Sequence, residues 1–190
     1  MLTIAYIGNG KSTNRYHLPF SIKVKDIKIK TIYSPSPNSW EHIEGIIYTN
    51  KIEDVLNDEE IQLIVLAIPA SYHYEVAKQC LESGKHTLVE KPFTETSTQA
   101  RELFDIAKKK GLFIQAYQNR RFDSDYLILK EIIKEGNLGK IVELESHFDR
   151  FRPNDPVQDG KVQDGSFWGL GSHLIDQMIS LFGKPKKIYY

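Results

Sequence analysis

A glycine-rich turn with the sequence Gly8-Asn-Gly-Lys-Ser-Thr13 directly follows the first apolar run of the chain. Glycine at the first two positions allows a tight turn and a close approach of the backbone to a phosphate group, which would lie against the amide groups of the next helix. The third glycine of this pattern, which normally allows close packing of helix on strand, is replaced by Thr13. An ordinary turn between a strand and a helix is the simpler alternative. Because the turn opens a repeating strand and helix pattern, we predict that it binds a dinucleotide through Gly8, Asn9, Gly10, Lys11, Ser12 and Thr13.

The end of the second predicted strand bears on the choice of dinucleotide. An NAD-binding fingerprint places an acidic residue there, about twenty residues after the glycines, to hold the ribose 2′-hydroxyl. In this chain the strand ends in Ile32-Tyr-Ser-Pro-Ser36, which contains no acid. Hydroxyl groups tolerate a 2′-phosphate better than a carboxylate does, so we expect Ser34 to contact the cofactor and we favour NADP over NAD. The alternative is that Ser34 and Ser36 only cap the next helix or shape the loop.

A second candidate site is Glu90-Lys91-Pro92, at the carboxyl end of the fifth predicted strand. A lysine at this edge of a nucleotide-binding sheet would lie near the nicotinamide. There its ammonium group could donate to the oxygen of a substrate hydroxyl or carbonyl and stabilise the negative charge that develops. Pro92 restricts Lys91 to extended backbone conformations. A surface turn is the plain alternative for an isolated Lys-Pro pair.

Histidines supply the remaining candidates. His73 follows Pro69 in the loop after the fourth predicted strand, beside the expected nicotinamide site, and we predict that Pro69, His73 and Glu90 contact the cofactor. His17 lies in the region of the first helix, where capping or packing is an equal alternative to a place near the cofactor. We expect His42, His86 and His147 to be structural or exposed. No histidine is spaced with cysteines or carboxylates as a zinc site requires, so we predict no metal.

The elements that must position these residues form an α/β pattern up to about Gln115. Short apolar runs predict six strands: Thr3–Ile7, Ile27–Tyr33, Ile46–Tyr48, Leu63–Ile68, His86–Val89 and Leu112–Ala116. The clearest helices are predicted over Tyr72–Ser83 and Thr96–Lys110, each followed by a glycine suited to a left-handed C-cap. Alternation of this kind predicts a parallel, doubly wound sheet, with ligands at the carboxyl ends of the strands.

The rhythm changes after Asn119. We predict a helix over 124–134, a long alternating strand over 140–148, a polar loop over 152–165, a helix over 171–181 and a further strand from Lys186. The sequence therefore predicts two domains, a nucleotide-binding domain at 1–119 and the first part of an α+β domain at 120–190. Two strands cannot bury a sheet face, so we expect the segment from Ser124 onward to be loosely packed, swapped with a neighbouring chain or prone to aggregation.

Composition excludes several classes of protein. The chain has 190 residues, with 25 Lys and Arg against 25 Asp and Glu, so its net charge of zero gives no reason to expect nucleic acid or an anionic membrane as a partner. The longest apolar run, Leu63–Ile68, is far too short to cross a bilayer. The single cysteine, Cys80, cannot form an internal disulfide and fits a reducing compartment, so we expect a cytoplasmic location. Its apolar neighbours on a helix predict a buried small residue rather than a nucleophile.

Several motifs together resemble the family of glucose–fructose oxidoreductase, inositol dehydrogenase and rhizopine-catabolism proteins. The resemblance covers the whole chain. Within that family, the chain is most similar to a branch of uncharacterised bacterial oxidoreductases. The motifs that carry it are Ala67-Ile-Pro69 with His73, Leu81 to Phe93 around Glu90-Lys91-Pro92, Gln118-Asn-Arg-Arg-Phe-Asp123, Gly136-Asn-Leu-Gly139, Glu145-Ser-His-Phe-Asp149 and Phe167-Trp-Gly-Leu-Gly-Ser-His173 with Asp176.

The resemblance implies an N-terminal Rossmann domain that binds NADP or NAD, and a C-terminal domain with a large, mostly antiparallel sheet. It implies hydride transfer on a sugar or polyol, and a homo-oligomer when the protein is full length. Position by position, Lys91 corresponds to the catalytic lysine and His173 to the catalytic histidine, which would move the hydroxyl proton. Asp176, with Lys91 and His173, corresponds to a substrate-binding position.

One position departs from the family pattern. Many members carry an aspartate four residues before the histidine, where this chain has Gly169, and Asp164 is a possible substitute. This gap leaves open a second hypothesis, a catalytically weak or inactive nucleotide-binding sensor of the same fold. An NAD-dependent glycosidase would use the same residues. The resemblance implies a second domain of ordinary size, on the order of 150 further residues, so we expect this chain to be truncated at its C-terminus and inactive in the 190-residue form.

Overall fold

The computed structural model describes residues 1–149, 151 and 167–189. The chain divides into two compact units, Met1–Tyr117 and Gln118–Tyr190. In the first unit, six strands alternate with helices. The strands are β1 (Leu2–Ile7), β2 (Ile27–Tyr33), β3 (Ile47–Thr49), β4 (Leu63–Leu66), β5 (His86–Val89) and β6 (Ile114–Ala116). The helices are α1 (Leu18–Ser21), α2 (Glu53–Leu56), α3 (His73–Glu82) and α4 (Ser97–Lys110).

All six strands form one parallel sheet in the order β3-β2-β1-β4-β5-β6. The order reverses between β1 and β4, which places the carboxyl ends of these two strands at the topological switch point where doubly wound sheets bind their ligands. The predicted Rossmann-type α/β fold is therefore confirmed. The predicted strands differ from the observed ones only at their ends.

Both faces of the sheet are covered, because side chains of successive residues point to opposite faces of a strand. On β1, Ala5 and Ile7 belong to one buried cluster, whereas Ile4 and Tyr6 belong to another. The first cluster contains buried residues of α3 and α4, and the second contains Leu18 of α1. The Cys80 thiol lies in the first cluster, fully buried as predicted, and burial raises its pKa well above the ordinary range.

The longest helix, α4, has a capping signal at each end, of which the sequence analysis predicted the glycine C-cap. The Thr96 hydroxyl accepts a hydrogen bond from the Gln99 amide at 3.2 Å, and the Gln99 side chain accepts one from the Thr96 amide at 3.1 Å. This capping box starts α4, and Gly111 ends it in the left-handed conformation.

The second unit contains two α-helices, α5 (Ser124–Glu135) and α6 (Ser172–Phe182), preceded by short helical turns at Asn119–Phe122 and Phe167–Gly171. The Gln177 side chain of α6 donates to the Arg120 carbonyl oxygen at 3.0 Å, which ties α6 to the turn before α5. The two predicted helices are thus present with small shifts at their ends.

The two strands predicted for the second unit are absent from its described residues. Residues 141–149 and 187–189 form neither strand nor helix. An alternating pattern prepares one face of a strand, but a strand is stabilised by hydrogen bonds to a neighbour and by packing, and the described part of this unit holds no second strand to pair with. The expected antiparallel sheet is therefore not seen. The predicted polar loop at 152–165 and residue Asp164 lie outside the described residues.

Two further findings concern the described ranges only. No helix in them is long and apolar enough to cross a membrane. No group of three or more histidine, cysteine or acidic side chains in them lies close enough together to hold a metal ion.

Candidate functional site

Gly8, the first residue of the glycine-rich turn, lies where three strands end. Its amide donates to the carbonyl oxygen of Tyr33 at the end of β2, at 2.9 Å. Its φ of +113° is one that other residues rarely adopt, and a Cβ placed there would lie 2.2 Å from the carbonyl oxygen of Ala67, just after β4. Only glycine fits this position, because the turn must pass close to the neighbouring strand end.

Gly10 differs from Gly8 in what surrounds it. Its φ lies outside the left-handed region, and a Cβ added to it would meet nothing within 4 Å. The fold of the protein therefore does not require glycine here. What glycine preserves is open space beside the turn, of the kind that a phosphate group needs to approach the backbone.

Thr13, at the third position of the pattern, is fully buried. Its hydroxyl donates to the Gly8 carbonyl oxygen at 2.5 Å. It begins a short π-helical stretch, Thr13–His17, which leads into α1. The departure from glycine thus has a structural reason, because the threonine hydroxyl closes the turn on itself. Asn14 braces it further, with its side-chain amide donating to Asn9 Oδ1 at 2.8 Å and to the Gly10 carbonyl oxygen at 2.9 Å.

The Glu90 carboxylate connects this turn to the Lys91 segment. Its Oε1 accepts hydrogen bonds from the Ser12 hydroxyl at 2.6 Å and from His17 Nε2 at 2.8 Å, while its Oε2 accepts from the Lys91 amide at 3.1 Å. Burial acts to raise the pKa of the Glu90 carboxyl, but the hydrogen bonds from His17 and Ser12 outweigh burial and hold that pKa below its ordinary value. Glu90 therefore lies beneath the turn as an anion.

Tyrosines enclose the buried His17 ring, and sequence reasoning missed them. The Tyr117 ring centroid lies 4.5 Å from that of His17, and the Tyr6 ring meets it edge to face at 5.8 Å. Burial, aided by the charge of Glu90, raises the pKa of the Tyr117 hydroxyl, and burial raises that of Tyr6 to about 12. No spacing rule links residues this far apart, so the sequence carried no signal for the cluster.

His73 holds together the loops after β4 and β5. Its ring is 1% exposed, with Nδ1 at 2.8 Å from the Pro92 carbonyl oxygen and Nε2 at 2.9 Å from the Ile68 carbonyl oxygen. Both ring nitrogens thus face backbone oxygens, so His73 supports these loops from below. Pro69 is exposed on one loop, and Lys91, half-buried and joined to Pro92 by a cis peptide bond, lies on the other.

A cavity of about 400 Å³ lies at the carboxyl ends of β2 and β3. Its lining includes Asn9 of the glycine-rich turn and Ser34, so two of the predicted cofactor contacts share it. The Ser34 hydroxyl donates to the Ser36 carbonyl oxygen at 2.8 Å, and the Ser34 amide donates to the Thr49 carbonyl oxygen at 2.9 Å. Ser34 therefore shapes the loop, as the alternative interpretation held, and lines the cavity as well. Lys11, the fourth residue of the glycine-rich turn, is exposed.

In the second unit, His173 and Asp176 both lie in the first half of α6. His173 is buried. The Asp176 carboxylate accepts two hydrogen bonds from the Arg121 guanidinium, from Nε at 2.7 Å and from Nη2 at 2.6 Å. Arg121 is thus the ion-pair partner of Asp176. At Gly169 an added Cβ would meet nothing within 4 Å, so the position has room for a side chain.

Two family models match the chain. One, described as an oxidoreductase family with an NAD-binding Rossmann fold, matches residues 2–118. The other, described as the GFO/IDH/MocA C-terminal domain, matches residues 126–190.

Individual relatives agree with these matches. The uncharacterized oxidoreductase YhhX of Escherichia coli is 48% identical over 100% of this chain and 56% of its own length. The scyllo-inositol 2-dehydrogenase (NADP(+)) IolW of Bacillus subtilis is 31% identical over 98% of this chain and 53% of its own. A crystal structure of an oxidoreductase from Bacillus cereus superposes with a TM-score of 0.90 at 43% identity, covering 97% of this chain and 54% of that one. The chain spans about half the length of these relatives.

Proposed function

Because the chain belongs to the GFO/IDH/MocA family of oxidoreductases, we propose that it is the nucleotide-binding half of an enzyme that uses NADP or NAD and acts on a sugar, polyol or related small metabolite. In the reaction, hydride moves between the cofactor and a carbon that carries a hydroxyl group in the reduced substrate.

The observation that carries the proposal is the contrast between the first two glycines of the turn. Gly8 is required by a neighbouring carbonyl oxygen, whereas Gly10 faces open space. Open space at the switch point of a doubly wound sheet is where a dinucleotide pyrophosphate would lie, against the backbone amides that follow Gly10. The bound nicotinamide would supply the hydride acceptor or donor.

The roles of the other residues follow from their chemistry. The Lys91 ammonium group would donate to the substrate oxygen and stabilise negative charge on it during hydride transfer. The His173 imidazole would take the hydroxyl proton as the carbon is oxidised and return it in the reverse direction. Asp176 would contribute a substrate contact. The Glu90 carboxylate, with Ser12 and His17, would hold the turn and the Lys91 backbone in fixed positions.

Two observations support NADP over NAD and a polyol over other substrates. The cavity that contains Ser34 has no acidic side chain in its lining, so nothing there would repel a 2′-phosphate. The Bacillus subtilis relative is named as an NADP-dependent inositol dehydrogenase. We therefore propose NADP as the preferred cofactor and a polyol such as an inositol as the first substrate to test.

The first experiment is calorimetric titration of the chain with NADPH and NADH, for the unaltered protein and for Gly10→Val. We expect binding by the unaltered protein and its loss in the variant, because a side chain would fill the space that a phosphate needs. Equal binding by both proteins would contradict the assignment of the turn.

The second experiment measures turnover by NADPH absorbance in a form of the protein that includes the rest of the family's second domain. Lys91→Ala should lower turnover by about 10²–10³ with little change in NADPH affinity, as removal of one electrostatic group commonly does. Full turnover in both Lys91→Ala and His173→Ala would contradict these catalytic roles.

The second candidate function is a nucleotide sensor without turnover, and Gly169 is the observation that favours it. The position has room for the aspartate that the family pattern leads us to expect, so its absence is not a matter of space. Nucleotide binding without turnover of any polyol or aldose, together with gain of turnover in Gly169→Asp, would favour a sensor that has lost one catalytic group.

A further inference from the structure

We propose that His42 selects NADP over NAD by donating a hydrogen bond to the 2′-phosphate in the cavity at the ends of β2 and β3. The inference rests on the proposed function, since it assigns one part of the same nucleotide site. No sequence pattern pointed to His42, which we expected to be structural or exposed.

The cavity lies next to the glycine-rich turn. Asn9 belongs to the turn and also lines the cavity, and Tyr33 at the end of β2 accepts the Gly8 amide. Tyr33 and Thr49 are register partners in the parallel pair of β2 and β3, so the cavity lies one strand further from the switch point than the turn does. A dinucleotide with its pyrophosphate at Gly10 would therefore place its adenosine ribose in the cavity. This ribose carries the 2′-hydroxyl of NAD or the 2′-phosphate of NADP.

Most of the polar groups that line the cavity already bind other parts of the protein. The hydroxyls of Ser34 and Thr49 donate to Ser36 and Asp54, and the Asn9 side chain donates to Asn38 at 3.3 Å. Within the described residues, three lining side chains make no hydrogen bond: Ser36, His42 and Asn50. Of these only His42 has a basic nitrogen, so it is the group best able to bind a phosphate dianion.

The His42 ring is also held in place. It stacks on the Tyr48 ring of β3, with centroids 3.8 Å apart and planes inclined by 2°. The Tyr48 hydroxyl accepts the Ile43 amide at 3.0 Å, so the same tyrosine fixes the backbone beside the histidine. A donor that is oriented before the ligand binds loses less conformational entropy on binding. Glu41 and Glu44 flank His42 in sequence, but neither lines the cavity.

The test is calorimetric titration of the 190-residue chain with NADPH and NADH, repeated with the fragments 2′-AMP and 5′-AMP. The key variant is His42→Phe, which keeps an aromatic ring on Tyr48 and removes the donor. We expect the unaltered protein to bind NADPH more tightly than NADH. In His42→Phe, affinity for NADPH and 2′-AMP should fall about tenfold, the usual effect of losing one hydrogen bond to a charged group, while affinity for NADH stays the same.

Two further variants complete the design. His147→Phe makes the same change at an exposed histidine of the second unit and should alter neither affinity. His42→Arg should restore the NADPH preference, because a guanidinium group both stacks on an aromatic ring and binds phosphate. If NADPH affinity falls in His42→Phe only because the loop is disturbed, His42→Arg should not restore it.

The outcomes separate the two proposals. If neither NADPH nor NADH binds the unaltered chain, the proposed function fails and this inference fails with it. If both bind with equal affinity, the inference about His42 and the proposed preference for NADP are overturned, while the proposed nucleotide-binding function stands. If His42→Phe weakens both equally, only the inference about His42 is overturned.

Discussion

His17 Nε2 and Glu90 Oε1 lie 2.8 Å apart in the first unit, although 73 residues separate them in the sequence. The same carboxylate oxygen accepts the Ser12 hydroxyl, and the other accepts the Lys91 amide. One largely buried anion therefore joins the glycine-rich turn, the first helical stretch and the end of β5. We expect the stability of this corner of the sheet to depend on the charge of Glu90.

Glu90→Gln tests this dependence. The substitution keeps the shape of the side chain but removes the charge, so the bonds from Ser12 and His17 lose their charge-assisted strength. We expect a loss of about 1–3 kcal/mol in the free energy of unfolding, measured with urea at neutral pH. Glu102→Gln, at an exposed carboxylate paired with Lys78, is the control and should cost much less.

The effect of Glu90 on stability should also depend on pH. Because the pKa of Glu90 is lower in the folded protein than its ordinary value of 4.5, ionised Glu90 stabilises the fold above that value. The stabilisation is lost as the pH falls through the folded pKa. The difference in unfolding free energy between the unaltered protein and Glu90→Gln should thus be full at about pH 7 and smaller at about pH 4. A constant difference over this range would contradict the assignment of the charge.

Gly8→Ala and Gly10→Ala should have opposite effects. At Gly8 the added methyl group would collide with the Ala67 carbonyl oxygen in a backbone conformation that alanine avoids, so we expect a loss of about 2–4 kcal/mol in stability. At Gly10 the methyl group meets no protein atom, so thermal stability should stay the same or rise slightly while NADPH affinity falls. Thermal unfolding and calorimetry on both variants check this, and similar melting temperatures for the two would contradict it.

His73→Phe should destabilise the loops after β4 and β5. The phenyl ring fills the space but removes the ring N–H, so the carbonyl oxygen of Ile68 or Pro92 that accepts it is left without a donor. An unsatisfied buried acceptor costs about 1–3 kcal/mol, and thermal or urea unfolding will measure the loss. His42→Phe is the matched control, since that ring is exposed, and should leave stability nearly unchanged. A loss no larger than in the control would show that the two contacts contribute little.

Asp176→Asn should have a small effect on stability. The Arg121 side chain is 47% exposed, and solvent-exposed ion pairs contribute about 0–1 kcal/mol even with good geometry. Urea unfolding of the protein should therefore show a change below about 1 kcal/mol, with Glu131→Gln at an exposed pair as the control. If stability is kept and turnover falls in the enzyme, the loss reports on substrate contact, whereas a large loss of stability would assign Asp176 a structural role instead.

The sheet, its helices and the position of the glycine-rich turn could be predicted from the sequence because their signals are local. A strand in a doubly covered sheet has a run of apolar residues, and a helix such as α4 carries its own start at Thr96 and its own end at Gly111. The order of strands and helices then limits the topology, since crossovers between parallel strands have one hand. Each of these signals lies within about fifteen residues, close to the length of one element.

Other features were decided by the tertiary structure, because they depend on partners distant in sequence. The segment at 140–148 has the alternation of a strand but none of the hydrogen-bonded neighbours that make one in the described structure. Thr13, His73 and Glu90 were each singled out in the sequence, yet their hydrogen-bond partners became known only when the strand ends were brought together. A residue type indicates which bonds a side chain can make, and the fold decides which donors and acceptors come within 3 Å of it.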